Sequence, residues 1–290
     1  MQQSIIESIM KELEMKGIIK KGSAYKQLNG GSSSTVGMIT YNNSPLYVVK
    51  INEPNVLQAE SLFLNHYQDQ QLFPQLMYVD SNYRYIVYEY MTGIIDNRKS
   101  DKRTTLSFLS SHIINSYHPV HNATKWGWVD EPTSSWGLFL HTRVTEAYKT
   151  VQSVLNPKDY ELVCDIITTL QKRNDNDIPY LIHGDFGFHN FLFSGEQLVG
   201  VIDPTPILGS PIYDLVYAFC STPTDLELHT IQPAISLLNN WKPHNEKALF
   251  EEILLGLYCR IATSIRHHPE DLPQYIVAWN RWKADYTQLS

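Results

Sequence analysis

Beyond Gly93 the chain carries apolar residues mainly at helical spacing. That pattern is broken by one pair of strand-like runs, Phe191–Phe193 and Leu198–Ile202, joined by the turn Ser194-Gly195-Glu196-Gln197. A tight hairpin returns the chain to its starting end. Asn190, just before the first run, and Asp203, just after the second, are therefore brought side by side although thirteen positions separate them. An amide oxygen and a carboxylate so placed suit a Mg²⁺ ion held with a nucleotide, phosphate oxygens and waters completing the shell. Asp185 lies five positions before Asn190 in the segment His183-Gly184-Asp185-Phe186-Gly187-Phe188-His189-Asn190. There it can accept the proton of a hydroxyl nucleophile or orient that hydroxyl.

Two other readings of the same residues stay open. Asp185, Asn190 and Asp203 are also what separate turns contain, because Asx side chains bond their own backbone where strands begin and end. His183, Asp185, His189 and Asp203 form a set of imidazoles and carboxylates of the kind metal hydrolases use, although that set gives Asn190 no role. Otherwise His183 reads as a buried residue bracing the loop, and His189 as a loop residue.

The N-terminal third has a different rhythm. Tyr25–Leu28, Thr35–Tyr41 and Leu46–Ile51 are β-branched or aromatic runs separated by NGGSSS and NNSP, which predicts an antiparallel meander. Val56, Glu60, Phe63, Leu64 and Tyr67 then follow helical spacing, and Tyr83–Tyr90 returns to strand composition. The opening stretch reads as an amphipathic helix over 4–16, with Ser4 and Glu7 spaced as a capping box. An α+β chain follows from this: a small β-rich N-lobe over 1–92, and a larger, mainly helical C-lobe over 93–290. Within the C-lobe, helices are expected at Thr104–Tyr117, Ser135–Leu155, Asp159–Gln171, Ala248–His267 and Pro273–Thr287.

Lys50 stands in the apolar strand Tyr47-Val48-Val49-Lys50-Ile51, and Glu60 lies on the apolar face of the following helix. An unpaired interior charge costs several kcal/mol, so mutual pairing is the economical arrangement; the alternative is two partly exposed charges whose pairing contributes about 0–1 kcal/mol. Ser32, Ser33 and Ser34, with Gly30 and Gly31, form a loop whose N–H groups and hydroxyls can wrap phosphates. The loop matches no glycine-rich phosphate motif, so only its position before Lys50 supports that use.

Charge and composition exclude several functions. The balance of 23 basic against 30 acidic residues, −7, with no Lys/Arg cluster beyond pairs such as Lys20-Lys21, argues against a nucleic-acid partner and is compatible with a cationic small molecule. No apolar run has a membrane-spanning length, and charges interrupt the first twenty residues where a signal peptide needs an apolar centre. Cys164, Cys220 and Cys259 are odd in number and set in apolar sequence, which suits reduced core residues and a cytoplasmic protein.

HGDFGFHN followed by VIDPTPILGSPIYDLV resembles the aminoglycoside phosphotransferase and choline kinase family of the protein-kinase-like superfamily. HGDFGxxN is also similar to the hygromycin B phosphotransferase motif. The resemblance covers nearly the whole chain and implies a bilobal kinase-like fold. By residue it implies Asp185 as catalytic base, Asn190 and Asp203 as Mg²⁺ ligands, Asp214 as support for the loop, and Lys50, paired with Glu60, on the nucleotide phosphates. It places backbone groups near Tyr88 and Tyr90 against the purine of ATP or GTP. The implied reaction moves the γ-phosphoryl to a hydroxyl of an aminoglycoside-type antibiotic or related hydroxylated amine, in antibiotic resistance or in metabolism. A sugar or amine metabolite kinase and a catalytically silent nucleotide-binding module remain as alternatives, and the chain is a monomer or a dimer. Only eleven positions separate Asp203 from Asp214, too few for a protein kinase's activation segment.

The chain departs from the family pattern in two places. Ser210 stands where Asp is usual, still able to cap a helix with Pro211 at its first position, and Pro204-Thr205-Pro206 follows Asp203 in place of the more usual Trp or Phe. Trp126, Trp128 and Trp136 fit either a stacking platform for a sugar or a core of the helical lobe.

Overall fold

The turn-rich N-terminal sequence folds as strands because each β-branched run is long enough to pair and each break holds residues that tolerate φ > 0. In the computed structural model, which describes residues 2–28, 34–95, 101–174 and 178–289, β1 (Ala24–Gln27), β2 (Thr35–Tyr41), β3 (Ser44–Ile51), β4 (Leu76–Val79) and β5 (Ile86–Glu89) form one antiparallel sheet in the order β1-β2-β3-β5-β4. Asn42 and Asn43 turn β2 into β3 with φ of 49° and 63°, a conformation Asn adopts more easily than most residues.

Strand alternation sorts this sheet's two faces. Val49, Val87 and Ile39 join Ile9 and Leu13 of α1 (Gln2–Met15) in a small core on one side. Val48, Ile86 and Tyr88 point the other way, into the large core with Leu57, Phe63 and Leu64 of α2 (Pro54–His66). Lys50, two positions after Val48, shares that second face, the one covered by α2.

The C-lobe holds α3 (Lys102–His112), α4 (Trp136–Val151), α5 (Pro157–Asn174), α6 (Ile212–Cys220), α7 (Leu228–Leu237), α8 (Ala248–His267) and α9 (Leu272–Gln288). Asp101 caps α3 by accepting from Thr104 N at 2.8 Å, and Ser135 caps α4 by accepting from Leu138 N at 3.1 Å. Two sheets interrupt these helices. The expected hairpin is present as β9 (Phe191–Ser194) and β10 (Gln197–Val201). The other sheet, in the order β7-β6-β11-β8, joins β6 (Trp126–Trp128), β7 (Pro132–Thr133), β8 (Tyr180–Ile182) and β11 (Ile207–Gly209).

Several expectations are corrected. The strand read over Tyr83–Tyr90 begins only at Ile86, because Tyr83 sits at φ 52° in a turn held by Asp80, whose carboxylate accepts from Asn82 N, Arg84 N and the Arg84 guanidinium. Ser4 is not a cap, since α1 already begins at Gln2. Ser210 gives no side-chain cap either; the residue flanking α6 is Pro211. Of the three cysteines only Cys220 is buried. Trp136 is a core residue stacked on Phe139 with ring centroids 5.0 Å apart, while Trp126 and Trp128 are half-buried on a strand and not on a helix. Among the described residues no helix is long and apolar enough to cross a membrane.

Candidate functional site

The hairpin fixes the site. Ile202 N donates to Asn190 O at 3.0 Å, closing the open end of β9–β10 and setting Asn190 and Asp203 at its mouth. Asp203 has φ 60°, strained for a residue with a Cβ. Buried Phe186, Phe188 and Phe191 anchor the preceding loop, and beside them Asp185 and His189 are turned toward the surface.

Within the loop, Asn190 donates through Nδ2 to Asp185 O at 2.8 Å and to Asp185 Oδ2 at 2.9 Å. The Tyr217 hydroxyl donates to Asp185 Oδ1 at 2.5 Å, and His189 Nε2 lies 3.1 Å from the same oxygen. Burial pushes the Asp185 carboxyl up, but the bonds from His189 and Tyr217 and the imidazole charge outweigh it and hold the group well below the usual carboxylate range.

Lys50 joins the two lobes. Its Nζ donates to Glu60 Oε2 at 2.6 Å and makes a second, shorter ion pair with Asp203 Oδ1. The pairing is buried: Lys50 is 4% and Glu60 1% exposed, whereas the Asp203 carboxylate is about half exposed. Burial alone would lower Lys50; the carboxylates of Glu60 and Asp203 prevail and raise it, so the ammonium stays charged. Burial and the Asp203 charge push Glu60 up to about 7 against the pull of Lys50.

Asp214, at the start of α6, is fully buried beneath the loop. It accepts from His183 N at 2.8 Å, Gly184 N at 3.0 Å and the Tyr117 hydroxyl at 2.8 Å. Burial pushes its carboxyl up to about 7 although all three donors favour the charged form. His183 is buried, and burial lowers it to about 4; its Nε2 donates to Ile202 O at 3.1 Å, which ties the loop to the end of β10. Among the described residues no group of three or more His, Cys, Asp and Glu side chains is arranged to hold a metal ion, so the hydrolase-like set does not assemble. Gly184 has φ 81°, and a Cβ there would lie 2.0 Å from Thr205 O. Gly184→Ala is therefore expected to destabilise the fold by about 3 kcal/mol or more, read as a shifted midpoint in urea unfolding.

The remaining sequence candidates are more dispersed. Ser32 and Ser33 lie outside the described residues, and Ser34 sits half-buried just before β2. Tyr88 is buried, its phenol close enough to Glu60, Lys50 and Asp203 to feel their charges. The Tyr90 N–H is spent on Leu46 O at 2.9 Å and the Glu89 N–H on Gln75 O at 2.8 Å. Tyr217 and Tyr117 were missed from sequence. The available signal for Tyr217 was its position three residues after Asp214, on the same face of a helix.

Residues 120–242 match the model of the phosphotransferase enzyme family, APH, a stretch that holds Asp185, Asn190, Asp203 and Asp214. That stretch is 123 of the 290 residues. Together with the kinase-like fold, the match marks a small-molecule phosphotransferase. No curated protein matches it in sequence. Among solved structures it is similar to aminoglycoside phosphotransferase APH(4)-Ia, at 14% identity and TM-score 0.60 over 97% of this chain and 98% of that one. A thermostable variant of that enzyme in ternary complex with AMP-PNP and hygromycin B matches at 17% identity and TM-score 0.55, over 95% and 98% of the two chains. A candidate fructosamine-3-kinase from Haemophilus somnus matches at 15% identity and TM-score 0.63, over 95% and 96%. At such identities these likenesses carry the fold.

Proposed function

We propose that this phosphotransferase moves the γ-phosphoryl of ATP or GTP to a hydroxyl of a small molecule of the aminoglycoside or hydroxylated-amine type, in the cytoplasm. The observation that carries the reading is the relay Glu60–Lys50–Asp203 across the two lobes, ending beside the Asp185–Asn190 loop. In the proposed step the acceptor oxygen forms the new bond to the γ-phosphorus, and the bond from phosphorus to the bridging β-oxygen breaks. The acceptor's proton passes to the Asp185 carboxylate, and the nucleoside diphosphate leaves with the negative charge. Asp185, held low, is a weak base; its work is to orient the hydroxyl and take the proton late, as a loose phosphoryl-transfer transition state requires.

Asn190 and Asp203 suit a Mg²⁺ site by their chemistry. Asn190's amide nitrogen is committed to Asp185, which leaves its carbonyl oxygen, and one Asp203 oxygen is committed to Lys50, which leaves the other. When bound, Mg²⁺ neutralises phosphate charge. Lys50, released from Asp203, would hold the phosphates, with Glu60 keeping its ammonium in place. The Ser32–Ser34 loop would wrap the phosphates, and the carbonyls of the Tyr88–Tyr90 segment would face the purine.

A coupled nucleotide-consumption assay with Mg²⁺, screening ATP and GTP against aminoglycosides, hydroxylated amines and sugar metabolites, tests the reading, the product's mass showing a gain of one phosphate. Lys50→Met is expected to lower kcat/KM for the nucleotide by about 30- to 1000-fold, the range for losing one partner of a buried charge pair. Nucleotide binding with no transfer to any acceptor would instead favour a silent nucleotide-binding module.

A further inference from the structure

Between α4, α6 and α8 lies a cavity of about 60 Å³, with Arg143, Tyr213, Tyr217, Glu252, Cys259 and Arg260 among its lining residues. Its other lining residues are mostly apolar, and its position ties it to the site: Tyr217, which forms part of the wall, is the residue that donates to Asp185.

Two features of the wall stand out. The guanidinium of Arg143 lies 5.3 Å from the Trp128 ring centroid and beside the Cys259 thiol, but among the described residues no carboxylate pairs with it. The hydroxyl of Tyr213 is buried and has no hydrogen-bond partner among the described residues. A buried hydroxyl left unmade is costly, and a half-buried guanidinium without an anion is uncommon. Both are donors, and both lack the same thing, an acceptor oxygen bearing negative charge. Arg260 adds positive charge to the wall while its Nε donates to the Tyr275 hydroxyl at 3.0 Å. Glu252, also on the wall, has a partner of its own.

We infer that the acceptor carries a carboxylate, held in this cavity by Arg143 and Tyr213. The inference rests on the phosphotransfer reading only in calling the ligand an acceptor. A planar two-oxygen group matches the guanidinium fork and leaves a lone pair for the phenol. The cavity has room for such a group and not for a sugar ring, since whole-ligand pockets are typically about 300–1000 Å³. Of the two acceptor types proposed above, this favours hydroxylated amines that also bear an acid over aminoglycosides without one.

The test uses the full chain and two probes of nearly equal size, glycolate and its neutral counterpart glycolamide, followed through the Arg143 Nε–Hε NMR signal. Glycolate is expected to saturate and glycolamide to bind at least about tenfold more weakly. Tyr213→Phe, which removes only an unpartnered hydroxyl, should weaken glycolate about three- to tenfold; a hydroxyl that is merely buried would leave binding unchanged. Arg143→Gln, followed by thermal shift, should abolish the response, with Arg143→Lys as the variant that keeps the charge should the first not fold. Lys50→Met should weaken nucleotide binding and leave glycolate binding intact.

Equal binding of glycolate and glycolamide, no saturation by glycolate, or an unchanged Tyr213→Phe would overturn the proposal. So would hygromycin B, which has no carboxylate, being phosphorylated by the wild type with a kcat/KM as high as that of any carboxylate-bearing acceptor. Saturable glycolate binding without transfer to any acceptor would sink the phosphotransfer reading and leave the carboxylate site standing.

Discussion

Asp185→Asn is expected to lower kcat by about 10²- to 10⁴-fold while leaving nucleotide binding within a few-fold of the wild type. The substitution keeps the size of the side chain and can still accept from Tyr217 and His189, so the loop retains most of its bonds. It removes the negative charge that the proposed step needs at the acceptor hydroxyl. Single-turnover rates and nucleotide affinity measured on the same preparation separate the two effects, and undiminished transfer would show that another group takes the proton.

A pH profile adds a second readout. The folded Asp185 carboxyl is held low, so the carboxylate is present above that pKa and lost only as pH falls through it. Tyr217→Phe removes one of the donors that lower it. The acid limb of the transfer rate is therefore expected to move to higher pH in that variant, with a loss at neutral pH smaller than that of Asp185→Asn. An acid limb that stays in place would mean that Tyr217 does not act through Asp185.

The parts of this arrangement that were legible in the sequence are those written in short spacings. The hairpin around Asn190 and Asp203 was legible because a four-residue turn separates two apolar runs, and the Lys50–Glu60 contact because a lone charge stood in an apolar strand opposite a charge on a helix's apolar face. The sheet of β6, β7, β8 and β11 was not, because strands of two or three residues are too short to show alternation, and their pairing joins segments up to about eighty positions apart. Pro233 lies inside α7 and hid that helix, since proline ordinarily ends a helical pattern. Tyr213 and Tyr217 sit in the strongly apolar helix α6, where an aromatic residue reads as packing. Only the structure shows that one hydroxyl reaches Asp185 and that the other is buried without a partner among the described residues.

Asp214→Ala is expected to have the largest effect on the folded state. The carboxylate is fully buried and takes three hydrogen bonds, two from the backbone at His183 and Gly184 and one from Tyr117. Removing it strands all three donors in the interior, where each unmet donor costs about 1–3 kcal/mol, so a total near 3–6 kcal/mol is expected after partial relaxation. The two backbone donors lie directly before Asp185, so the loop that carries it loses its main fixed point in the C-lobe. A urea midpoint shift should therefore be accompanied by a fall in transfer that persists under conditions where the variant remains folded. Asp214→Asn separates geometry from charge. Its amide oxygen can accept from Gly184 N, but its NH₂ would face the donors at His183 N and Tyr117, so only part of the stability should return. A variant as stable as the wild type would show that the loop is held by its aromatic anchors, Phe186 and Phe188, and not by the carboxylate beneath it.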